Sequence, residues 1–259
     1  MLELTSLDIT HWVGRYLYPF VRIAGFLMVL PVFGTRMVPQ RIRMILAVMM
    51  TLAIVPILPP FPVVEAMSLG SFLIIAQQLL IGIVLGLAIE FTMQIFVIAG
   101  QLISMQTGLA MAQSVNPAMG TSSAVISQWL LFMVILIFLS LNGHLVAMEV
   151  LVDSFHSMPV GFDGMNAVQF SSLVNWASWM FAAALVVAIP IQTTLLIVNI
   201  SFGVVAKAAP QLNIFALGFP IAMIMGLLIL SMTMGDFADA FQNYLNELFE
   251  FLKKLSEIS

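Results

Sequence analysis

The sequence predicts an all-α integral membrane protein, and three observations support that prediction. Hydrophobic residues make up 62% of the 259 positions and charged residues only 8%, whereas a soluble domain has about 25% charged residues. The mean hydropathy is +1.12, so a folded monomer could not cover its surface with groups that water tolerates. The apolar residues are also gathered into segments of the length that crosses a bilayer as a helix, about 20 residues.

Six long apolar segments can be read along the chain. They are Trp12–Phe33, Met44–Val64, Leu69–Gly100, Trp129–Val152, Val174–Ala206 and Ile214–Gly235. The first, second, fourth and sixth fit a single crossing. The third and fifth are longer than thirty residues, so each must tilt, break or project beyond the hydrocarbon layer. Pro190 in the fifth favours a kink; a kinked span and a hairpin or bent helix packed inside an assembly both remain open.

The charged residues between these segments predict an orientation. Basic residues follow the first and fifth segments, and acidic residues lie in the second and fourth loops: Arg36, Arg41, Arg43 and Lys207, against Glu65, Asp153 and Asp163. The positive-inside tendency places the basic set in the cytoplasm and both termini outside. No signal-peptide pattern is visible at the N-terminus, so the first segment is expected to remain in the mature protein.

Composition and missing motifs exclude several function classes. The net charge of −4 gives no basic stripe for nucleic acid. Cysteine is absent, and His11, His144 and His156 are not spaced as zinc ligands on one helix. Neither H-E-x-x-H, G-x-S-x-G nor a phosphate-binding glycine loop occurs. The chain is therefore predicted to be no enzyme and to bind no metal, cofactor or nucleic acid.

Ionisable and amide side chains within the apolar segments are candidates for function or assembly, because they are costly in a bilayer. Arg15 and Arg22 share one face of the first segment. Glu90 lies in the third segment, and Gln94 and Gln101 continue its face. We expect Arg22 or Arg15 to pair with groups of this kind and to lock helices together; Arg15 could instead extend to the membrane interface.

Gly82 and Gly86 form a G-x-x-x-G step in the third segment. Such a step lets two helix backbones approach closely, although it also occurs by chance in so apolar a sequence. A helix-packing contact is predicted at these two glycines.

The run from Gly100 to Gln128, GQLISMQTGLAMAQSVNPAMGTSSAVISQ, carries no charge. Irregular backbone at membrane depth is found only where protein buries it or water lines it. Glycine and proline interrupt helices here, and methionine adapts to irregular gaps. These properties favour a compliant seal over a pore; the alternative is an ordinary loop in water, which would usually carry some Lys, Glu or Asp. The predicted seal residues are Met105, Gly108, Leu109, Met111, Asn116, Pro117, Met119 and Gly120.

An amphipathic helix is predicted after Gly235. Its apolar residues recur at steps of three and four: Phe237, Phe241, Tyr244, Leu245, Leu248, Leu252 and Leu255. The opposite face is acidic, which argues against adhesion to anionic lipid headgroups. A partner protein is the favoured occupant of the apolar stripe, and a helix folded back on its own chain is the alternative.

Five stretches taken in order resemble the FliR family of flagellar biosynthesis proteins, whose counterparts serve in type III secretion export gates. They are VRIAGFLMVLPVFGTRMVPQRIRMILA (21–47), QLLIGIVLGLAIEF (78–91), GQLISMQTGLAMAQSVNPAMG (100–120), LNGHLVAMEVLVDSFHSMPVG (141–161) and APQLNIFALGFPIAM (209–223). The resemblance covers nearly the whole length. The tail after Gly235 contributes least to it.

The resemblance implies helices and helical hairpins packed in a hetero-oligomeric export gate of the bacterial inner membrane, at the flagellar basal body. FliP-like and FliQ-like subunits would be its partners in a helical ring, with FlhB-like protein around the closed gate and FlhA-like protein in the same apparatus. Residues 1–168 would be FliP-like and residues 169–259 FliQ-like, with a plug loop at 105–122. Unfolded flagellar proteins would be the cargo, and membrane lipid would surround the assembly.

Three other functions stay open at the level of the sequence. The apparatus could be an injectisome rather than a flagellum. A secondary transporter for a small solute is another candidate, although that class has internal repeats and none is visible. A purely structural membrane anchor, docked through the amphipathic tail, is the third.

Overall fold

The computed structural model of the chain describes residues 6–34, 38–59, 68–109, 124–162, 164–208 and 214–257. Eight α-helices lie in these ranges: α1 Ser6–Val29, α2 Gln40–Ile54, α3 Leu69–Gln106, α4 Val125–Ser140, α5 Gly143–Ser157, α6 Ala167–Ala208, α7 Ile214–Met232 and α8 Met234–Glu257. A 3₁₀ turn, Val55–Ile57, follows α2. The described ranges contain no strand, and the predicted all-α class is confirmed.

Fewer helices than predicted meet the length and hydropathy of a membrane span. Gln40–Ile57, Leu69–Gln106 and Ala167–Val205 qualify singly, and two sharply bent helix pairs raise the number to five among the described residues. Helix α1, which carries Arg15 and Arg22, is not among them. Among the described residues this criterion therefore gives three to five candidate spans, against six apolar segments in the sequence.

The two longest segments are single helices. Helix α3 has 38 residues and α6 has 42, which at 1.5 Å per residue is about 57 and 63 Å. A hairpin inside either segment is therefore excluded. Pro190 lies inside α6, where it cannot donate a backbone hydrogen bond. One turn later the hydroxyls of Thr193 and Thr194 donate to the carbonyls of Ile189 and Pro190, at 2.8 and 2.9 Å.

The fourth predicted segment is two helices bent by 71° rather than one continuous helix, and the pair can still count as one span. Helix α4 ends at Ser140 and α5 begins at Gly143. Between them Asn142 has φ 57°, a left-handed conformation that asparagine tolerates better than most residues. The local sequence Leu-Asn-Gly therefore interrupts an otherwise continuous apolar run.

The chain forms two compact units, each assembled from separate stretches. The first comprises Met1–Phe91, Leu139–Ala177 and Glu247–Ser259, and the second comprises Thr92–Phe138 and Ser178–Asn246. The predicted division at Gln169 concerns likeness to other gate subunits rather than compactness, and it stays a prediction.

In the first unit, α1 and α3 approach closely through glycines on both helices. A Cβ atom added to Gly82 would collide with the carbonyl oxygen of Arg22 and lie 2.9 Å from the Phe26 nitrogen. One added to Gly86 would lie 3.0 Å from the Phe26 oxygen, and one added to Gly25 would lie 2.9 Å from the Leu79 oxygen. The two backbones therefore touch where larger residues would hold them apart.

In the second unit, a cluster of aromatic rings joins α3 to α8. The Phe96 ring lies edge-on to Phe241, Tyr244 and Phe237, with centroid distances of 5.5, 6.2 and 6.2 Å. Trp179 of α6 meets Tyr244 edge-on at 5.3 Å. Edge-to-face pairs at such distances are the favourable arrangement of aromatic side chains.

The apolar stripe of α8 is covered by the chain itself. Of its seven predicted residues, Tyr244 is half-buried and the other six are buried: Phe237, Phe241, Leu245, Leu248, Leu252 and Leu255. In the first unit Trp176 stacks on Phe251, with centroids 4.4 Å apart. The prediction that a partner protein covers this stripe is therefore wrong, because the chain's own residues already bury it.

Substitution of Gly82 by alanine should destabilise the first unit. The new methyl group must push α1 away from α3, and overpacking of this kind costs about 1–3 kcal/mol. Gly203→Ala is the matched control, because a Cβ atom at that exposed helical position meets nothing within 4 Å, so alanine should be neutral or slightly stabilising. Thermal unfolding of the purified protein in mild detergent measures both; equal midpoints for the two variants would contradict the close contact.

Candidate functional site

Arg22 is fully buried in the first unit. Its Nε donates to Oε1 of Gln78 on α3 at 2.8 Å. Its Nη1 donates to the Ser154 carbonyl at 2.7 Å and to the Ser154 hydroxyl at 3.2 Å, and its Nη2 donates to the Met158 carbonyl at 2.8 Å. The guanidinium also lies over the Phe155 ring, 4.2 Å from the centroid. One side chain therefore joins α1, α3 and the end of α5.

The contact with α5 suits a cation. Helix α5 ends at Ser157, so the carbonyls of Ser154 and Met158 lie at a helix C-terminus, where the backbone dipoles concentrate negative potential. The forked guanidinium can bind both carbonyls at once. Its positive charge is also attracted to the face of the Phe155 ring.

Further polar side chains fasten the connection between α5 and α6. Nε2 of Gln77 donates to the Phe162 carbonyl at 3.0 Å. Asn166 and Gln169 exchange side-chain-to-backbone hydrogen bonds of 2.9 Å each, which forms a capping box at the start of α6. The buried Gln169 also donates to the Leu255 carbonyl of α8 at 3.1 Å. The end of α5, the start of α6 and the end of α8 are thereby tied together.

The structure brings one of the predicted polar residues into this cluster and leaves the others outside it. Arg15 is exposed, Gln101 is exposed, and Glu90 and Gln94 are half-buried. The amide that binds Arg22 is Gln78. Each step of four along a helix advances the side chain by about 40°, so positions 90 and 94 have turned about 120° and 160° away from Gln78. The missed signal is the spacing 78, 82, 86, which puts Gln78 beside the two glycines.

The second unit contains the ends of the uncharged run. Helix α3 continues to Gln106 and is followed by Gly108 at φ 75°, a left-handed conformation that glycine adopts without strain and that commonly ends a helix. Met105 is exposed and Leu109 is half-buried. Five predicted seal residues lie outside the described residues: Met111, Asn116, Pro117, Met119 and Gly120.

Helices α3 and α4 cross closely beside this run. A Cβ atom added to Gly100 would lie 2.6 Å from Cα of Ser127. Within the described part of the chain, the buried hydroxyls of Ser104 and Ser127 have no hydrogen-bond partner. A second close approach brings Gly226 of α7 against the Thr107 side chain. Sequence reasoning missed these contacts, although Gly100 and Ser127 flank the uncharged run at both ends.

Comparison with known proteins gives a consistent result. The family model described as bacterial export proteins, family 1, matches residues 13–248. The flagellar biosynthetic protein FliR of Escherichia coli (strain K12) is 34% identical over 252 residues, which cover 97% of this chain and 96% of that protein. The protein of the same name from Pectobacterium carotovorum subsp. carotovorum is 33% identical over the same shares. That of Aquifex aeolicus (strain VF5) is 30% identical over 90% of both chains.

Replacement of Arg22 by leucine should greatly reduce the yield of folded protein and of any complex that contains it. The Gln78 side-chain oxygen and the Met158 carbonyl would each lose a donor, at about 1–3 kcal/mol apiece, against a total stability of about 5–15 kcal/mol. The Ser154 carbonyl would keep its bond from the Met158 N–H. Arg15→Leu is the matched control, since Arg15 lies on the same helix and is exposed. Size-exclusion chromatography in detergent measures both; a normal yield for R22L would refute the architectural role.

Proposed function

The chain belongs to the bacterial export proteins, family 1, and on that premise we propose that it is a subunit of the flagellar type III export gate in the bacterial inner membrane. The observation that carries the proposal is full-length similarity to proteins named flagellar biosynthetic protein FliR. A likeness confined to one apolar helix could arise from composition alone. A likeness over 97% of the chain extends through nearly all of its helices and loops.

The surface of the helices is consistent with a place inside a membrane assembly. Within the candidate spans of α2 and α6, only 22% and 28% of the most apolar window is buried by the chain itself. The exposed side chains of α6 include Phe181, Val186, Ile189 and Ile197. A water-soluble monomer does not expose such extended apolar faces. Lipid and neighbouring subunits, FliP-like and FliQ-like in the first place, would cover them, with FlhB-like and FlhA-like proteins completing the apparatus.

The uncharged run would serve as the seal of the gate. Residues 105–122 begin in the last turn of α3 and end before α4. The close crossing of Gly100 and Ser127 holds these two helices together. Because the run carries no charge, an unfolded chain could displace it without breaking an ion pair in a poorly hydrated pore. Its methionines can pack against many different cargo side chains. The proposed role is therefore passive closure and accommodation, with no catalytic step.

The other candidate functions differ in their requirements. An injectisome gate would use the same chain architecture, so motility of the bacterium separates it from a flagellar gate. A small-solute transporter would be complete as an oligomer of itself. The proposed division into a FliP-like part, 1–168, and a FliQ-like part, 169–259, falls at the first turn of α6 and would let the chain close a ring made by both kinds of subunit.

Co-expression with FliP-like and FliQ-like subunits should decide between a gate subunit and a transporter. We expect the chain to purify in mild detergent as a stable hetero-oligomer and to be poorly recovered when expressed alone, because its apolar faces need partners. A deletion strain should be non-motile and regain motility from the plasmid-borne gene. A monodisperse homo-oligomer that transports a solute, with full motility of the deletion strain, would overturn the proposal.

Removal of several residues between Gly108 and Gly120 should make the assembled gate leak ions. The shortened run could no longer cover the pore, while the crossing at Gly100 and Ser127 would remain. Gly203→Ala, which keeps the chain length and meets no neighbour, provides the control. Conductance of the purified complex in planar bilayers is the measurement; unchanged ion permeability at normal complex yield would count against the seal.

A further inference from the structure

Helix α2 combines an exposed apolar surface with a basic end. Only Ala47, Thr51 and Ile54 are buried in it. Six of its large apolar side chains are exposed, between 45% and 64%: Ile42, Met44, Ile45, Val48, Met49 and Leu52. Arg41 and Arg43 lie in its first turn. The sequence contains no acidic residue between Asp8 and Glu65.

An apolar cleft lies along the same end of the helix. It has a volume of about 390 Å³ and is lined by Phe33, Val38, Pro39, Ile42, Arg43 and Leu46. Five of the six lining residues are apolar, and the sixth is an arginine. The spacing of 39, 42, 43 and 46 marks one face of α2. The cleft is within the size range of small-ligand sites, about 300–1,000 Å³.

The position of Arg43 is fixed by its own backbone surroundings. Its Nε and Nη2 donate to the Val38 carbonyl at 3.3 and 3.0 Å. These bonds hold the Arg43 side chain where it lines the cleft, and Arg41 stands exposed two residues before it. A guanidinium is planar, always charged and well matched to phosphate oxygens.

The geometry points to a site for an anionic phospholipid at the start of α2. The phosphate of the headgroup lies against Arg41 and Arg43, and part of an acyl chain occupies the cleft beside Ile42 and Leu46. Positive charge beside an apolar cleft, on the candidate span Gln40–Ile57, complements a ligand that is anionic at one end and apolar along its length. The predicted cytoplasmic location of this loop would place the site in the leaflet where anionic lipids are enriched.

This inference is separable from the export function. A gate subunit could have this surface covered by a neighbouring protein, and a chain with another function could still bind lipid here. The assay therefore measures lipid, not export.

Retention of phosphatidylglycerol by the assembled complex is the first test. The complex is purified from nanodiscs containing equal amounts of phosphatidylglycerol and phosphatidylcholine, and bound lipids are counted by native mass spectrometry. We expect Arg41→Gln with Arg43→Gln to lower the phosphatidylglycerol retained at this site by about tenfold and to leave phosphatidylcholine unchanged. Lys207→Gln is the control, because it removes one exposed basic residue at the end of α6. Equal phosphatidylglycerol retention in all variants at normal complex yield overturns the inference.

Contact of the lipid with the cleft is the second test, and it does not depend on the arginine variants folding. The chain has no cysteine, so Ile42→Cys in a complex whose other subunits lack cysteine gives one thiol for a fluorophore. Brominated phosphatidylglycerol should quench that fluorophore more than brominated phosphatidylcholine does. Ile197→Cys, which is similarly exposed on α6, should show no such difference. Equal quenching by both lipids at position 42 overturns the site, and absence of quenching by either means that protein covers the cleft and overturns it as well.

Discussion

The burial of a guanidinium is the constraint around which the first unit is organised. An isolated charge removed from water costs several kcal/mol even after the surroundings relax, and each donor left without an acceptor adds to that cost. The structure meets the requirement with an amide from α3 and with carbonyls that α5 can offer only at its C-terminus. Because those acceptors come from distant parts of the sequence, a correct set of hydrogen bonds exists only when three helices are in place together. The polar contact therefore selects one packing among the many that apolar helices would tolerate.

Backbone approach and side-chain pairing act at the same residue. Gly82 leaves room for the carbonyl of Arg22, and Gln78, one turn earlier on α3, receives its guanidinium. A larger residue at position 82 would separate the helices and also lengthen the hydrogen bond. The neighbouring connection between α5 and α6 depends on this contact through Met158. The Met158 carbonyl accepts a hydrogen bond from Arg22, and its sulfur accepts one from the Gln169 amide, 3.7 Å away. Small residues and one cation are thus two parts of a single contact.

The sequence was sufficient for the fold class and for most helices, because long apolar runs leave few alternatives to helix in a bilayer. The sequence did not predict which residues from distant parts of the chain come into contact. Arg22 was singled out for its cost in an apolar segment, but periodicity followed from Glu90 led to Gln94 and Gln101, while the partner was Gln78. The stripe of α8 was recognised, yet periodicity cannot distinguish a partner's surface from the chain's own α3 and α6. The break at Asn142 was also missed, since hydropathy averaged over a window conceals a single left-handed residue.

The contrast between the two units fits a gate that must stay assembled while part of it yields. Each guanidinium nitrogen of Arg22 has an acceptor, so a displacement of α5 would break these hydrogen bonds in an apolar interior. At the crossing of Gly100 and Ser127 the contact is close, but the buried Ser104 and Ser127 hydroxyls form no hydrogen bond to any described residue. A small separation of α3 and α4 would forfeit dispersion contacts and would admit water to two groups that gain from it. In hydrogen bonds alone, separating the helices therefore costs less at the crossing of Gly100 and Ser127 than at Arg22.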